Sequence, residues 1–133
     1  MRNLIKKIAV TGPESTGKSW LSKELASYYH ADWQPEFARE YLENNGLQYG
    51  IQDLIKIAKG QVKNQKLAEK SSSGILFCDT ELVVLKIWST VVFGECPSYI
   101  EDMLSKQKFD LYLLCFPDLP WEFHPMRENP DNR

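Results

Sequence analysis

The sequence carries few residues able to hold a metal or cross-link the chain. It contains 3 cysteines and 2 histidines. Cys78, Cys96 and Cys115 are odd in number and show no CxxC spacing. Neither a disulfide scaffold nor a zinc cluster with His30 and His124 is supported. Cys78 and Cys115 sit inside apolar runs and read as buried small hydrophobes. Such usage fits the reducing cytosol, so a cytoplasmic location is expected. Charge imbalance is also slight, with a formal net charge of −2. No general field draws the chain to nucleic acid or an anionic membrane, and neither is an expected partner. Long apolar runs are missing too. Nothing approaches the ~20 residues of a membrane span. The N-terminal MRNLIKKIAV is basic and then apolar, but Lys6 and Lys7 break the run a signal peptide needs.

What remains is an ordinary globular composition, 43% hydrophobic and 26% charged over 133 residues. That suffices for one domain, 1–133, with its own core. Residues 3–10 read as a strand, and 18–30 as a helix with Leu21, Leu25, Tyr28 and Tyr29 on its apolar face. Residues 31–35 suit a short strand, and 36–45 a helix closed by Gly46. A longer helix follows over 51–70, striped by Ile51, Leu54, Ile55, Ala58 and Val62. ILFCD, 75–79, is a continuous apolar run of the kind found in strands buried on both faces. Residues 80–93 read as a deeply packed helix with Trp88 in the core, stopped by Gly94. Ser98, with Glu101 three residues on, predicts a capping box opening a helix to about Lys108. FDLYLLCF, 109–116, is the fourth strand candidate, and the charged, proline-rich remainder reads as loop. Strands alternate with helices, which predicts a three-layer α/β/α fold around a parallel sheet.

After the first strand comes GPESTGKS, Gly12 to Ser19, which satisfies GxxxxGK[ST] at every fixed position. Gly12 and Gly17 permit a tight turn whose N–H groups point inward. The helix that follows presents its positive end. Lys18 is suited to the β- and γ-phosphates, and the Ser19 hydroxyl to Mg²⁺. Gly12, Pro13, Glu14, Ser15, Thr16, Gly17, Lys18, Ser19 and Trp20 are therefore the candidate ATP-binding residues. Asp79 ends an apolar strand, where an acid holds Mg²⁺ in phosphate-loop proteins. An N-cap for the following helix is its other reading.

Kinases, switches and motors share this loop. The small size favours a small-molecule kinase, whose second substrate lies at the carboxyl ends of the strands. WQPEFARE, 33–40, falls there and offers Trp33, Glu36, Phe37 and Arg39. A carboxylate can bind ribose hydroxyls or take the proton of the attacking one, and an aromatic ring can stack on a base. The same stretch also reads as a plain amphipathic helix start. Arg127 follows the fourth strand, where a lid arginine would neutralise transferring phosphate, unless it is a solvated charge. Trp121 is a candidate for the substrate mouth, and His124 has no evident role.

GPESTGKS, EFAREYL, FCDTELVVLKIW, FGECP and FDLYLLCFPDLPWEFHPMRENP together resemble the NadR-like ribosylnicotinamide kinase domain over essentially the whole chain. The resemblance implies a phosphate-loop kinase fold and ATP-dependent phosphorylation of nicotinamide riboside to its mononucleotide, in NAD biosynthesis. It implies that Gly12–Ser19 hold ATP phosphates and Mg²⁺. Glu36, Arg39, Asp79 and Thr80 would face the riboside or metal, and Arg127 the lid. No HxGH signature precedes the first strand, so neither adenylyl transfer nor repressor function is expected. The family's lid helix and fifth strand are expected beyond Arg133. The alternatives are an ATP-binding regulatory module without catalysis and an AAA-type ATPase. Base and metal roles stay open between Glu36 and Asp79.

Overall fold

The computed structural model describes residues 5–13, 17–46, 48–72 and 74–115. In chain order its elements begin with β1 (Lys6–Thr11), α1 (Lys18–Tyr28), β2 (Asp32–Gln34), α2 (Phe37–Asn45) and α3 (Ile51–Ser71). There follow β3 (Ile75–Asp79), α4 (Leu82–Phe93), α5 (Ser98–Lys106) and β4 (Leu111–Leu114). The strands form one parallel sheet in the order β2-β3-β1-β4. β1 and β3 are central, so Ala9, Val10, Leu76, Phe77 and Cys78 are all buried. That double burial is why neither strand alternates cleanly between apolar and polar.

The register sets the strand ends side by side. Val10 pairs with Asp79, Gln34 with Cys78, and Thr11 with Leu114. Side chains alternate from face to face along each strand. Val10 and Phe77 pack with Ala26 of α1, joined by Leu21, Leu25 and Trp33. On the other side a second core gathers Ala38, Leu54, Ile57, Ala58, Leu82, Leu85 and Ile100 from α2 to α5. The predicted three-layer arrangement is the one found.

Several local expectations need correcting. On α1 the fully buried positions are Ser22 and Ala26, while Tyr28 and Tyr29 are 76% and 55% exposed. Small residues let the helix lie close to the sheet, and Ser22 Oγ accepts a hydrogen bond from Trp33 Nε1 at 2.9 Å. On α3 the buried line is Leu54, Ile57, Ala58 and Gln61, with Ile51, Ile55 and Val62 only half-buried. α4 starts at Leu82, capped by Glu81, whose carboxylate accepts from the Val83 N–H at 2.8 Å. Asp79 is therefore not its cap. Nor is α4 deeply packed all round. Leu82, Leu85 and Ser89 are buried, whereas Ile87, Val91 and Val92 are exposed. Trp88 packs at the core margin and donates to Tyr49 Oη at 2.7 Å. The Ser98 capping box does not form. Pro97 is the N-cap of α5, and Glu101 reaches instead to Lys86 of α4. Cys115 is half-buried rather than buried. Burial pushes the Cys78 thiol up to about 12, so it behaves as an inert hydrophobe.

Gly60 sits mid-helix in α3 for a packing reason. A Cβ there would run into the Phe37 ring at the head of α2. Replacing an interior helical glycine by alanine favours the helix by ~1 kcal/mol. Overpacking opposes this by about 1–3 kcal/mol. Gly60→Ala is therefore expected to destabilise by about 1 kcal/mol in urea unfolding. In a Phe37→Ala background the same change should stabilise. A stabilising Gly60→Ala in the wild-type background would contradict the close α2–α3 contact.

Candidate functional site

The site is built where the parallel strands deliver their carboxyl ends. Thr11 closes β1, and Gly12 follows at φ +140°, in the region that favours glycine. A side chain there would meet the Cys115 carbonyl at 2.6 Å. Cys115 N–H donates to Thr11 O at 2.8 Å, holding the end of β4 against this turn. Gly17, at φ +81°, is the N-cap of α1 and supplies no side-chain cap. The first turn of α1 also has no acidic residue. Among the described residues no side chain caps its opening N–H groups, and these, with the positive helix end, suit an anion. Lys18 folds back over this region, with Nζ donating to Pro13 O at 3.3 Å.

Ser19, one residue further, donates through Oγ to Asp79 Oδ2 at 2.5 Å. Asp79 is 1% exposed. Burial pushes its carboxyl above the ordinary range, while the Ser19 hydrogen bond and the positive fields of Lys18 and Arg39 pull the other way. Lys18, Ser19, Asp79 and Arg39 are thereby brought into one electrostatic neighbourhood. Thr80 follows at φ +76°, a left-handed conformation rare for a β-branched residue. The turn is held by its N–H, which donates to Val10 O at 2.8 Å. Its hydroxyl bonds Asp79 Oδ1 at 3.3 Å.

Glu81 is the residue that sequence reasoning missed. It is 2% exposed, and both carboxylate oxygens are engaged. Oε1 accepts from Thr11 Oγ1 at 2.9 Å. Oε2 accepts from Val83 N–H and from Gln107 Nε2, each at 2.8 Å. Gln107 Oε1 in turn accepts from Leu82 N–H at 3.0 Å. This clamp joins the acid-bearing turn to the start of the glycine loop. Gln61 was missed too. Its Oε1 accepts from Phe37 N–H at 3.1 Å, and its Nε2 lies 3.5 Å from Thr80 O.

The other candidates are placed unevenly. Glu36, half-buried, stands as the N-cap of α2. Phe37 packs over Gly60 and beside Tyr41. Trp33 is turned to the α1 side, bonded to Ser22 and stacked under Lys23 Nζ, so the structure does not bring it to Glu36 and Phe37. Trp20 is 68% exposed. Glu14, Ser15, Thr16, Trp121, His124 and Arg127 lie outside the described residues. Among the described residues, no group of three or more His, Cys, Asp or Glu could hold a metal. Ser19 and Asp79 offer instead a pair of oxygens, a donor set that fits magnesium, which keeps most of its shell for water and phosphate. Among the described residues, no helix is long and apolar enough to cross a membrane.

A family model described as an AAA domain matches residues 7–133. The chain belongs to that AAA domain family. This AAA domain is 28% identical over 123 residues to the trifunctional NAD biosynthesis/regulator protein NadR of Salmonella typhimurium strain LT2. The match to NadR of Escherichia coli strain K12 has the same identity and length. Each covers 88% of this chain but 30% of the relative, so the chain spans about a third of these proteins. Among solved structures, NadR in complex with NR superposes with a TM-score of 0.74 at 25% identity, covering 83% of this chain and 33% of that one. NadR in complex with NAD and AMP-PNP gives a TM-score of 0.70 at 24% identity, covering 83% and 34%, and shares the fold. The AAA domain described here is accordingly NadR-like, with the phosphate-loop architecture its sequence predicted.

Proposed function

We propose that this chain is a small-molecule kinase that transfers the γ-phosphate of ATP to a riboside hydroxyl, with nicotinamide riboside as acceptor. The observation that carries the reading is the convergence of Lys18 and Ser19, at the uncapped head of α1, on the buried Asp79. An uncapped helix head with a lysine binds phosphate. A hydroxyl and a carboxylate in contact hold magnesium, which supplies charge neutralisation to the transferring group. The likeness to NadR in complex with NR supports the choice of acceptor.

In this scheme the first-turn N–H groups of α1 and the Lys18 ammonium seat the β- and γ-phosphates. Ser19 and Asp79 are the metal-holding pair. Asp79 bonds Ser19, and Glu36, half-buried at the head of α2, is assigned to orient or deprotonate the attacking hydroxyl. Arg39, exposed on α2, adds the weakest of the positive fields felt by Asp79. Arg127 is assigned to a lid.

The test is direct. Purified protein given ATP, Mg²⁺ and nicotinamide riboside should form nicotinamide mononucleotide, followed by chromatography. Lys18→Ala should lower kcat/KM by at least about 100-fold. Nucleotide binding without turnover would replace the kinase with a binding module. Hydrolysis of ATP indifferent to riboside would favour an ATPase.

A further inference from the structure

Gln34 is the last residue of β2, opposite Cys78 of β3, and 2% exposed. Alternation along β2 sends Trp33 to α1 and Gln34 to α3, as their hydrogen bonds show. Gln34 Nε2 donates to Gln61 O at 3.2 Å. A main-chain carbonyl only accepts, so the amide cannot be turned round without setting two acceptors against each other. The direction of Gln34 Oε1 is thereby fixed. This oxygen is buried and has no hydrogen-bond partner among the described residues.

Gln61 makes the contrast plain. Both ends of its amide are used, one on Phe37 N–H and the other toward Thr80 O. It ties the head of α2 to the turn after Asp79. Gln34 lies in the same layer, at the carboxyl edge of the sheet, two residues before Glu36. A buried acceptor held in one direction at this edge has a hydrogen bond still to be made.

We infer that Gln34 Oε1 accepts a hydrogen bond from a neutral donor of the acceptor substrate, and so selects among ribosides. The inference rests on the kinase reading and names a specificity residue for it. A carbonyl oxygen favours a hydroxyl or an amide N–H and disfavours a carboxylate in the same place. Two parts of nicotinamide riboside carry such donors: the ribose hydroxyls and the carboxamide.

The experiment measures riboside binding by calorimetry, with and without an unreactive ATP analogue, and turnover alongside. Wild type and Gln34→Met are each given nicotinamide riboside, its 2′-deoxy and 3′-deoxy forms, and nicotinic acid riboside. Gln34→Met should weaken nicotinamide riboside about 10-fold, with nucleotide affinity changed less than about 2-fold. The analogue lacking the donor should lose the same factor in wild type and nothing further in Gln34→Met. A 2′- or 3′-deoxy result identifies a hydroxyl, and a nicotinic acid riboside result identifies the carboxamide. Equal losses for riboside and nucleotide, or analogue penalties identical in the two proteins, would overturn the inference. Should Gln34→Met fail to fold, the wild-type series, extended by the 5′-deoxy form in the binding measurement, still decides, because four analogues of undiminished affinity exclude the bond. Binding without turnover sinks only the kinase reading. Absence of any riboside binding sinks both.

Discussion

Asp79→Asn is expected to lower phosphoryl transfer by about 10²–10⁴-fold while making the ligand-free protein melt at a higher temperature. The first effect follows from the metal-holding role proposed for Asp79. A carboxylate that helps neutralise the transferring phosphate is worth several kcal/mol in the transition state, which is a loss of that order in rate. Asparagine keeps an acceptor for Ser19 but brings no charge. The second effect has a separate cause. Asp79 is 1% exposed, and burial is the largest influence on its carboxyl, raising its pKa against the help of Ser19, Lys18 and Arg39. A group whose folded pKa is raised contributes stability below its unfolded pKa, and loses it as pH rises through the folded value. At neutral pH the charge is therefore a burden on the empty fold. Differential scanning calorimetry at neutral pH should show the variant melting higher, with the gap shrinking in acid. A variant that melts lower throughout would mean that the Ser19–Asp79 bond needs the charge.

Glu81→Ala carries the other large effect, and it falls on both stability and rate. The substitution strands the buried Thr11 hydroxyl and the partly buried Val83 N–H and Gln107 N–H donors. It also removes the N-cap of α4. A cap is worth about 1 kcal/mol, and a buried donor left unsatisfied costs about 1–3 kcal/mol. Some of this is offset because a buried carboxylate no longer has to be desolvated. A net loss of about 2–4 kcal/mol is expected by urea unfolding. Because the clamp ties Thr11, where the glycine loop begins, to the turn of Asp79, turnover should fall by about 100-fold, the usual penalty for a small misplacement. Glu81→Gln separates positioning from proton transfer. Its amide can accept from Val83 and Gln107 with one atom and donate to Thr11 with the other. It should recover most of both losses. If Glu81→Gln were as inactive as Glu81→Ala, Glu81 would be acting on the reacting atoms rather than holding them in place.

These two residues differ in how readable they were. Asp79 was legible because its signal is local: an apolar strand that ends in an acid. The glycine loop was legible for the same reason, since turn, helix head, lysine and hydroxyl lie within a few positions. ILFCD gave β3 its observed bounds, and the strand–helix alternation gave the three layers. Glu81 stands two residues beyond Asp79 and is equally buried, but its partners Thr11 and Gln107 are 70 and 26 residues away. No local pattern separates such a glutamate from a solvated helix start. Gln34 was hidden likewise, because its meaning lies in a carbonyl on α3, 27 positions on. The buried face of α1 was misread because hydrophobicity points to Tyr28 and Tyr29, whereas close approach to a sheet selects small residues such as Ser22 and Ala26. The failed Ser98 cap shows a conflict between local signals. Pro97 already fixes the entry of the chain into α5, and Glu101 finds Lys86.

Asp79 is held on β3, a central strand of the sheet. An acid carried by a surface loop can be re-aimed by changing the loop. Here re-aiming the acid means sliding β3 between β1 and β2, and with it the core that Phe77 shares with Val10 and Ala26. The acid therefore belongs to the last part of the molecule to open, and its exposure is coupled to global rather than local unfolding. Variation in the loops around it can retune the ligands while the acid itself stays fixed in register with the sheet.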